Sequence, residues 1–258
     1  MSPLWLGTSW KMTKTLAEGR HFAGRLVEHL ATRGTPEVQL FVVPPFTAIA
    51  AVSEVLGPGS PVLVGAQDAH WEDRGAWTGE VSVPQVKDAG ARLVEIGHSE
   101  RREHFGETVS TTRRKVAATL AHGLTPLLCI GEDAAVQERG ESAAFILDQA
   151  AGALDGLDED QLGRVVLAYE PVWAIGEAGR PATAEELAEP FAALGRRYGG
   201  RVRGLLYGGS VDTGNAGELL DIPHVAGLFV GRAAWDVDGF LGLLEVVVGR
   251  TGPPRAAG

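Results

Sequence analysis

Eight short apolar runs, each followed by a helical pattern, are the feature that most constrains this chain. They begin near Leu4, Val38, Val62, Arg92, Thr125, Val165, Val202 and Gly227, at spacings of 24 to 40 residues. Such a spacing holds one strand, a loop, a helix and a return. The runs are continuously apolar, the pattern of parallel strands buried on both faces. Helical periodicity fills the intervals 16–33, 47–56, 84–89, 111–122, 142–154, 184–198, 215–220 and 236–248. Thr15-Leu16-Ala17-Glu18 and Thr183-Ala184-Glu185-Glu186 fit a capping box, as does Ser82-Val83-Pro84-Gln85 with glutamine in third place. Eight alternations in 258 residues predict an α/β chain folded as a single-domain (β/α)8 barrel over residues 1–249, with 250–258 as a flexible tail. A doubly wound sheet would show a glycine-rich dinucleotide turn after the first strand. Here that strand runs instead into Gly7-Thr8-Ser9-Trp10-Lys11-Met12.

Charge and composition narrow the function. The net charge is −10 and no basic stripe is present, which argues against a nucleic-acid partner. The longest apolar stretch, 40–52, contains Pro44 and Pro45 and is too short to span a bilayer, so no membrane partner is expected. The N-terminus lacks the basic-then-apolar pattern of a signal peptide. Cys129 is the single cysteine, so no intrachain disulfide can form, and a reducing, cytoplasmic location is expected. No ligand set with metal spacing is visible, and neither a metal nor a cofactor is expected.

In a barrel the C-terminal strand ends face the active site. Those ends carry Ser9 and Lys11, Gln67, His98, Cys129, Glu170, Gly208-Gly209-Ser210 and Gly231-Arg232. Glu170 closes the apolar run Val165–Tyr169, and a carboxylate there must be paired, hydrated or functional. A tryptophan-anchored, glycine-rich loop follows it. A base under such a lid suits proton abstraction from carbon with water excluded. Taken singly, a strand-end histidine is more often structural, and a glycine pair is usually just a turn. Their convergence on one rim with Lys11, one of four lysines against nineteen arginines, is harder to assign to packing. The turns after strands seven and eight are where barrels often hold a phosphate.

The motifs Ser9-Trp10-Lys11-Met12, Gly97-His98-Ser99-Glu100-Arg101-Arg102, Cys129-Ile130-Gly131-Glu132, Ala168-Tyr169-Glu170-Pro171-Val172-Trp173-Ala174-Ile175-Gly176 and Tyr207-Gly208-Gly209-Ser210-Val211 resemble the triosephosphate isomerase family, in order and over nearly the whole chain. The resemblance implies isomerisation of a small phosphorylated sugar through an enediolate. Glu170 would remove a proton beside a carbonyl, neutral His98 would polarise that carbonyl, and Lys11 would stabilise the enediolate. The loop Trp173–Ala178 would close over the phosphate, with Gly176, Ser210, Gly231 and Arg232 donating backbone N–H groups. Trp173 would anchor the lid against Glu132, and Cys129 would support the Glu170 pocket. Ser99 and Glu100 would support the site, Glu100 by pairing with Lys11 or an arginine. The family also implies a homodimer, with Thr78 of the loop 65–80 beside the partner's lysine; a self-packed surface loop is the alternative.

Three departures stand out. Ser9 replaces an asparagine of the family pattern, the loop Glu177-Ala178-Gly179-Arg180-Pro181 is one residue longer, and Gly231-Arg232 replaces a pair of glycines. As drift, they leave the first expectation, interconversion of D-glyceraldehyde 3-phosphate and dihydroxyacetone phosphate in glycolysis and gluconeogenesis. As a change of substrate, Ser9, smaller than asparagine and near the reacting end, opens room for a hydroxymethyl group, while Arg232 keeps its backbone N–H for phosphate and adds a guanidinium, giving the alternative of a tetrulose-phosphate isomerase (L-erythrulose 1-phosphate to D-erythrulose 4-phosphate). Retention of Lys11, His98 and Glu170 argues against a catalytically silent scaffold.

Overall fold

The computed structural model describes residues 3–176 and 179–250. Eight strands, β1 (Leu4–Ser9), β2 (Val38–Val43), β3 (Val62–Ala66), β4 (Leu93–Ile96), β5 (Thr125–Ile130), β6 (Val166–Tyr169), β7 (Gly204–Tyr207) and β8 (Gly227–Val230), follow one another around a closed barrel. Every ladder is parallel, including the β1–β8 pair that closes it. Closure explains why the strand runs are apolar without alternation. One set of side chains, including Trp5, Phe41, Leu127, Leu206 and Phe229, fills the lumen. The other set packs outward against the helices, as Leu6, Leu40, Val94 and Leu128 do. Gly7 is required in β1 because a Cβ there would fall onto the Phe41 ring, which crosses the lumen toward Phe229 at a centroid distance of 5.5 Å.

Eleven helices are present among the described residues. Eight of them match the expected intervals: α1 (Leu16–Arg33), α2 (Ile49–Leu56), α3 (Val83–Asp88), α5 (Val109–Ala121), α7 (Ser142–Leu154), α9 (Ala184–Tyr198), α10 (Ala216–Leu220) and α11 (Val237–Val248). The capping boxes at Thr15, Ser82 and Thr183 all form. Three further helices, α4 (Ser99–His104), α6 (Ala134–Glu138) and α8 (Glu159–Leu162), were not legible, because none buries more than one residue and so none shows a hydrophobic period. Helix α5 starts two residues before the expected position, since Thr108 and Thr111 cap each other. Arg250, expected to open the tail, pairs with Asp221; residues 251–258 lie outside the described set. No described helix is long and apolar enough to cross a membrane.

Candidate active site

At the C-terminal ends of the strands lies a cavity of about 590 Å³, lined among others by Ser9, Lys11, His98, Glu170, Ser210 and Arg232. Glu170 follows directly on β6, and its N–H donates to the Ile130 carbonyl at 2.8 Å, extending the β5–β6 ladder by one bond. The side chain is only 4% exposed, and Oε2 has no hydrogen-bond partner among the described residues. Gly208 makes room for it, since a Cβ at that position would lie 2.7 Å from Glu170 Cγ. Burial raises the Glu170 pKa and the Lys11 charge pulls it back, leaving it at about 7. A general base works best poised near the operating pH. A base must be ionised, so kcat/KM is expected to rise with pH up to about 7 and level off above it. A kcat/KM profile flat from pH 5 to 8 would show that Glu170 does not titrate as assigned.

His98 sits at the N-cap of α4 and faces Glu170, with Nε2 lying 3.7 Å from Glu170 Oε2. Its Nδ1 accepts from the Glu100 N–H at 3.2 Å, so the proton belongs on Nε2, the nitrogen turned toward the cavity. Burial and then the Lys11 charge push its pKa down to about 4, so the ring is neutral at pH 7 and presents an N–H donor. The short helix that carries it is fixed by a buried ionic network. Arg101 reaches Asp68 at 2.8 Å and Glu107 at 3.2 Å, and Lys115 bridges the same two carboxylates at 2.6 and 3.0 Å.

Lys11 has a left-handed backbone, φ 48°, an unfavourable conformation for a side-chain-bearing residue. Gln67 holds it there, donating from Nε2 to the Lys11 carbonyl at 2.9 Å and to that of Val43 at 3.1 Å. Lys11 Nζ then meets Glu100 Oε1 at 2.6 Å. Burial works against the Glu100 charge, but the hydrogen bond and charge of Lys11 outweigh it and leave the pKa lowered. Ser99 opens α4 beside His98. Cys129 is buried in the lumen wall, and burial followed by the charge of Glu170 raises its thiol pKa well above the ordinary value.

The start of the expected lid is pinned at one carboxylate oxygen. Glu132 Oε1 accepts from Trp173 Nε1 at 2.9 Å, Tyr169 Oη at 3.0 Å and Ser142 Oγ at 3.0 Å. Arg180 lies over the Trp173 ring at 4.7 Å. Glu177 and Ala178 of the expected lid lie outside the described residues. Gly231 and Arg232 open a short 3-10 turn after β8, whose first N–H groups have no partner within the turn. The N–H of Ser210, expected to be free for phosphate, instead donates to the Ala174 carbonyl at 2.9 Å. That bond depends on the lid root folding back onto β7, which the sequence does not show.

Two neighbours of the site escaped the sequence reading. Glu95, in the middle of β4, is 3% exposed and accepts from Ser9 Oγ at 2.8 Å. Trp235 donates from Nε1 to the Ser9 carbonyl at 2.8 Å and lines the cavity. Glu95 carried a usable signal, a carboxylate interrupting the apolar run Leu93–Ile96. Trp235 carried none, since it lies in a loop far from β1 in sequence.

Comparisons with known proteins agree with this arrangement. A family model described as triosephosphate isomerase matches residues 4–247. A curated protein of Mycolicibacterium smegmatis named L-erythrulose-1-phosphate isomerase is 64% identical over 243 residues, which is 94% of this chain and 92% of its own length. One of the same name from Brucella abortus biovar 1 is 51% identical over 249 residues, 95% and 96% of the two chains. Among solved structures, a triosephosphate isomerase of Bartonella henselae superposes with a TM-score of 0.81 at 32% identity, covering 95% of this chain and 99% of that one.

Proposed function

This chain belongs to the triosephosphate isomerase family and is a sugar-phosphate isomerase, and we propose that its substrate is L-erythrulose 1-phosphate. The observation that carries this reading is Ser9, a small hydroxyl residue on the cavity wall with His98 and Glu170, where the family pattern has asparagine. The relatives at 64% and 51% identity bear the four-carbon name, so the triose expectation yields to its alternative, and the reason for a place in glycolysis goes with it.

The substrate carries its carbonyl at C2 and a proton and hydroxyl at C3. With the phosphate against Gly231, Arg232 and Gly176, Glu170 Oε2 removes the C3 proton. The electron pair forms the C2–C3 double bond of an enediolate, whose charge Lys11 stabilises. His98 donates from Nε2 to the oxygen on C2 and recovers a proton from the oxygen on C3. Glu170 then returns its proton to C2, leaving the carbonyl at C3, which is D-erythrulose 4-phosphate. Atoms balance with no co-reactant. For the Ser210 N–H to reach the phosphate, its bond to the Ala174 carbonyl must open.

The extra hydroxymethyl group sits on the reacting carbon, at the end away from the phosphate. Ser9→Asn is expected to refill that space. Overpacking costs about 1–3 kcal/mol, so kcat/KM for the four-carbon substrate should drop by about 5- to 150-fold. The triose should gain at most several-fold, since a net hydrogen bond contributes about 0.5–1.5 kcal/mol. If the ratio of kcat/KM for the two substrates stays unchanged, Ser9 does not set substrate length.

The active unit in this reading is a homodimer. The segment 72–80 is exposed, Trp77 is 52% exposed, and Met12, next to Lys11, is 98% exposed. These exposed apolar groups suit a partner surface, with Thr78 approaching the partner's Lys11. Light scattering at micromolar concentration should give a dimer mass; a fully active monomer would reject the pairing.

A further inference from the structure

The lumen holds one carboxyl group for which proton transfer has no use. Glu95 lies in β4 and Ser9 ends β1, strands that are not neighbours in the closed barrel, so their 2.8 Å hydrogen bond crosses the interior. Both residues are 3% exposed. Ser9 lines the cavity, and Glu95 stands behind it above the apolar lumen filling. We infer that Glu95 is a specificity-determining positioning residue, which holds the Ser9 hydroxyl so that its lone pairs face the terminal hydroxyl of a four-carbon substrate.

The direction of the bond is what matters. A serine hydroxyl has one proton and two acceptor positions. Its proton is committed to Glu95 Oε2, so toward the cavity Ser9 acts as an acceptor. The hydroxyl on C4 of L-erythrulose 1-phosphate is the group that can donate to it, and a triose phosphate has no counterpart. Chained hydrogen bonds of this kind polarise one another and strengthen in a low dielectric. Burial, followed by the charge of Glu170, raises the Glu95 pKa to about 8, so at pH 7 the group mostly carries a proton; with that proton on Oε1, Oε2 stays the carbonyl acceptor for Ser9 and no full negative charge stands against the enediolate. A carboxyl group is costly to bury in a lumen whose other fillers are apolar, and an aliphatic residue would serve packing better. A site built to pair a substrate hydroxyl discriminates against the analogue lacking it.

The inference rests on the four-carbon reading, and one set of assays separates the two. The readout is the ratio of kcat/KM for L-erythrulose 1-phosphate to that for dihydroxyacetone phosphate, in the wild type, Glu95→Leu and Glu95→Gln. Leucine cannot accept from Ser9, and the ratio should drop by about tenfold or more. Glutamine keeps an acceptor oxygen and should hold the ratio within about threefold of the wild type. If Glu95→Leu does not fold, Glu95→Met is read in the same way. An unchanged ratio in the leucine or methionine variant, or an equal loss on both substrates, overturns the role of Glu95 alone. A wild type that prefers the triose overturns the substrate reading, and this inference with it.

Discussion

Glu170→Asp is expected to lower kcat by about 10²-fold while leaving the fold intact, because withdrawing the carboxylate by one methylene misplaces it by about 1 Å. The surroundings of the side chain are rigid. Glu170 is held between the β6 ladder, which fixes its backbone at 2.8 Å from Ile130, and Gly208, whose missing Cβ lets the side chain pass. A shorter chain on a fixed backbone cannot follow the substrate. The charge is kept, so binding should change little and the loss should appear in kcat rather than KM. The melting temperature should be close to that of the wild type, since no hydrogen bond to Oε2 is lost. Near-normal turnover in this variant would mean that another group removes the proton.

Lys11→Met should cost more, about 10²- to 10³-fold in kcat/KM, the range seen when one preorganised electrostatic donor is removed from an active site. Methionine keeps the unbranched stem, and Gln67 still holds the backbone carbonyl at 2.9 Å, so the strained turn survives. What is lost is the positive charge. That charge holds down the pKa of both Glu170 and His98. Without it, Glu170 is a base of higher pKa, and the acid limb of the pH profile should move toward alkaline pH. A fall in rate with an unmoved limb would mean that Lys11 acts by contact with substrate alone. A variant as active as the wild type would remove Lys11 from the mechanism.

The barrel was legible because closure demands two-sided burial of every strand, and that leaves an unbroken apolar signature. Strand starts were displaced by at most two residues, at β7, where the run opens at Val202 and pairing begins at Gly204. The rim residues were legible because strand ends map directly onto the cavity. Contacts made across the barrel were not. The Ser9–Glu95 bond joins positions 86 apart on strands that never pair, and nothing local marks the two as partners. The Ser210 N–H illustrates the same limit, because a glycine-rich turn predicts free donors but not the carbonyl of Ala174 that occupies one of them. The left-handed Lys11 was also hidden, since the residue type gives no sign of a conformation that Gln67 enforces from the loop after β3.

Substrate length is the central question, and the purified enzyme answers it in a direct comparison of kcat/KM for L-erythrulose 1-phosphate and dihydroxyacetone phosphate under identical conditions. One hydroxymethyl group in a fitted pocket is worth at least about tenfold, so the four-carbon substrate should be preferred by that factor or more. A preference of the same size for the triose would contradict the four-carbon assignment and return Ser9 to neutral drift.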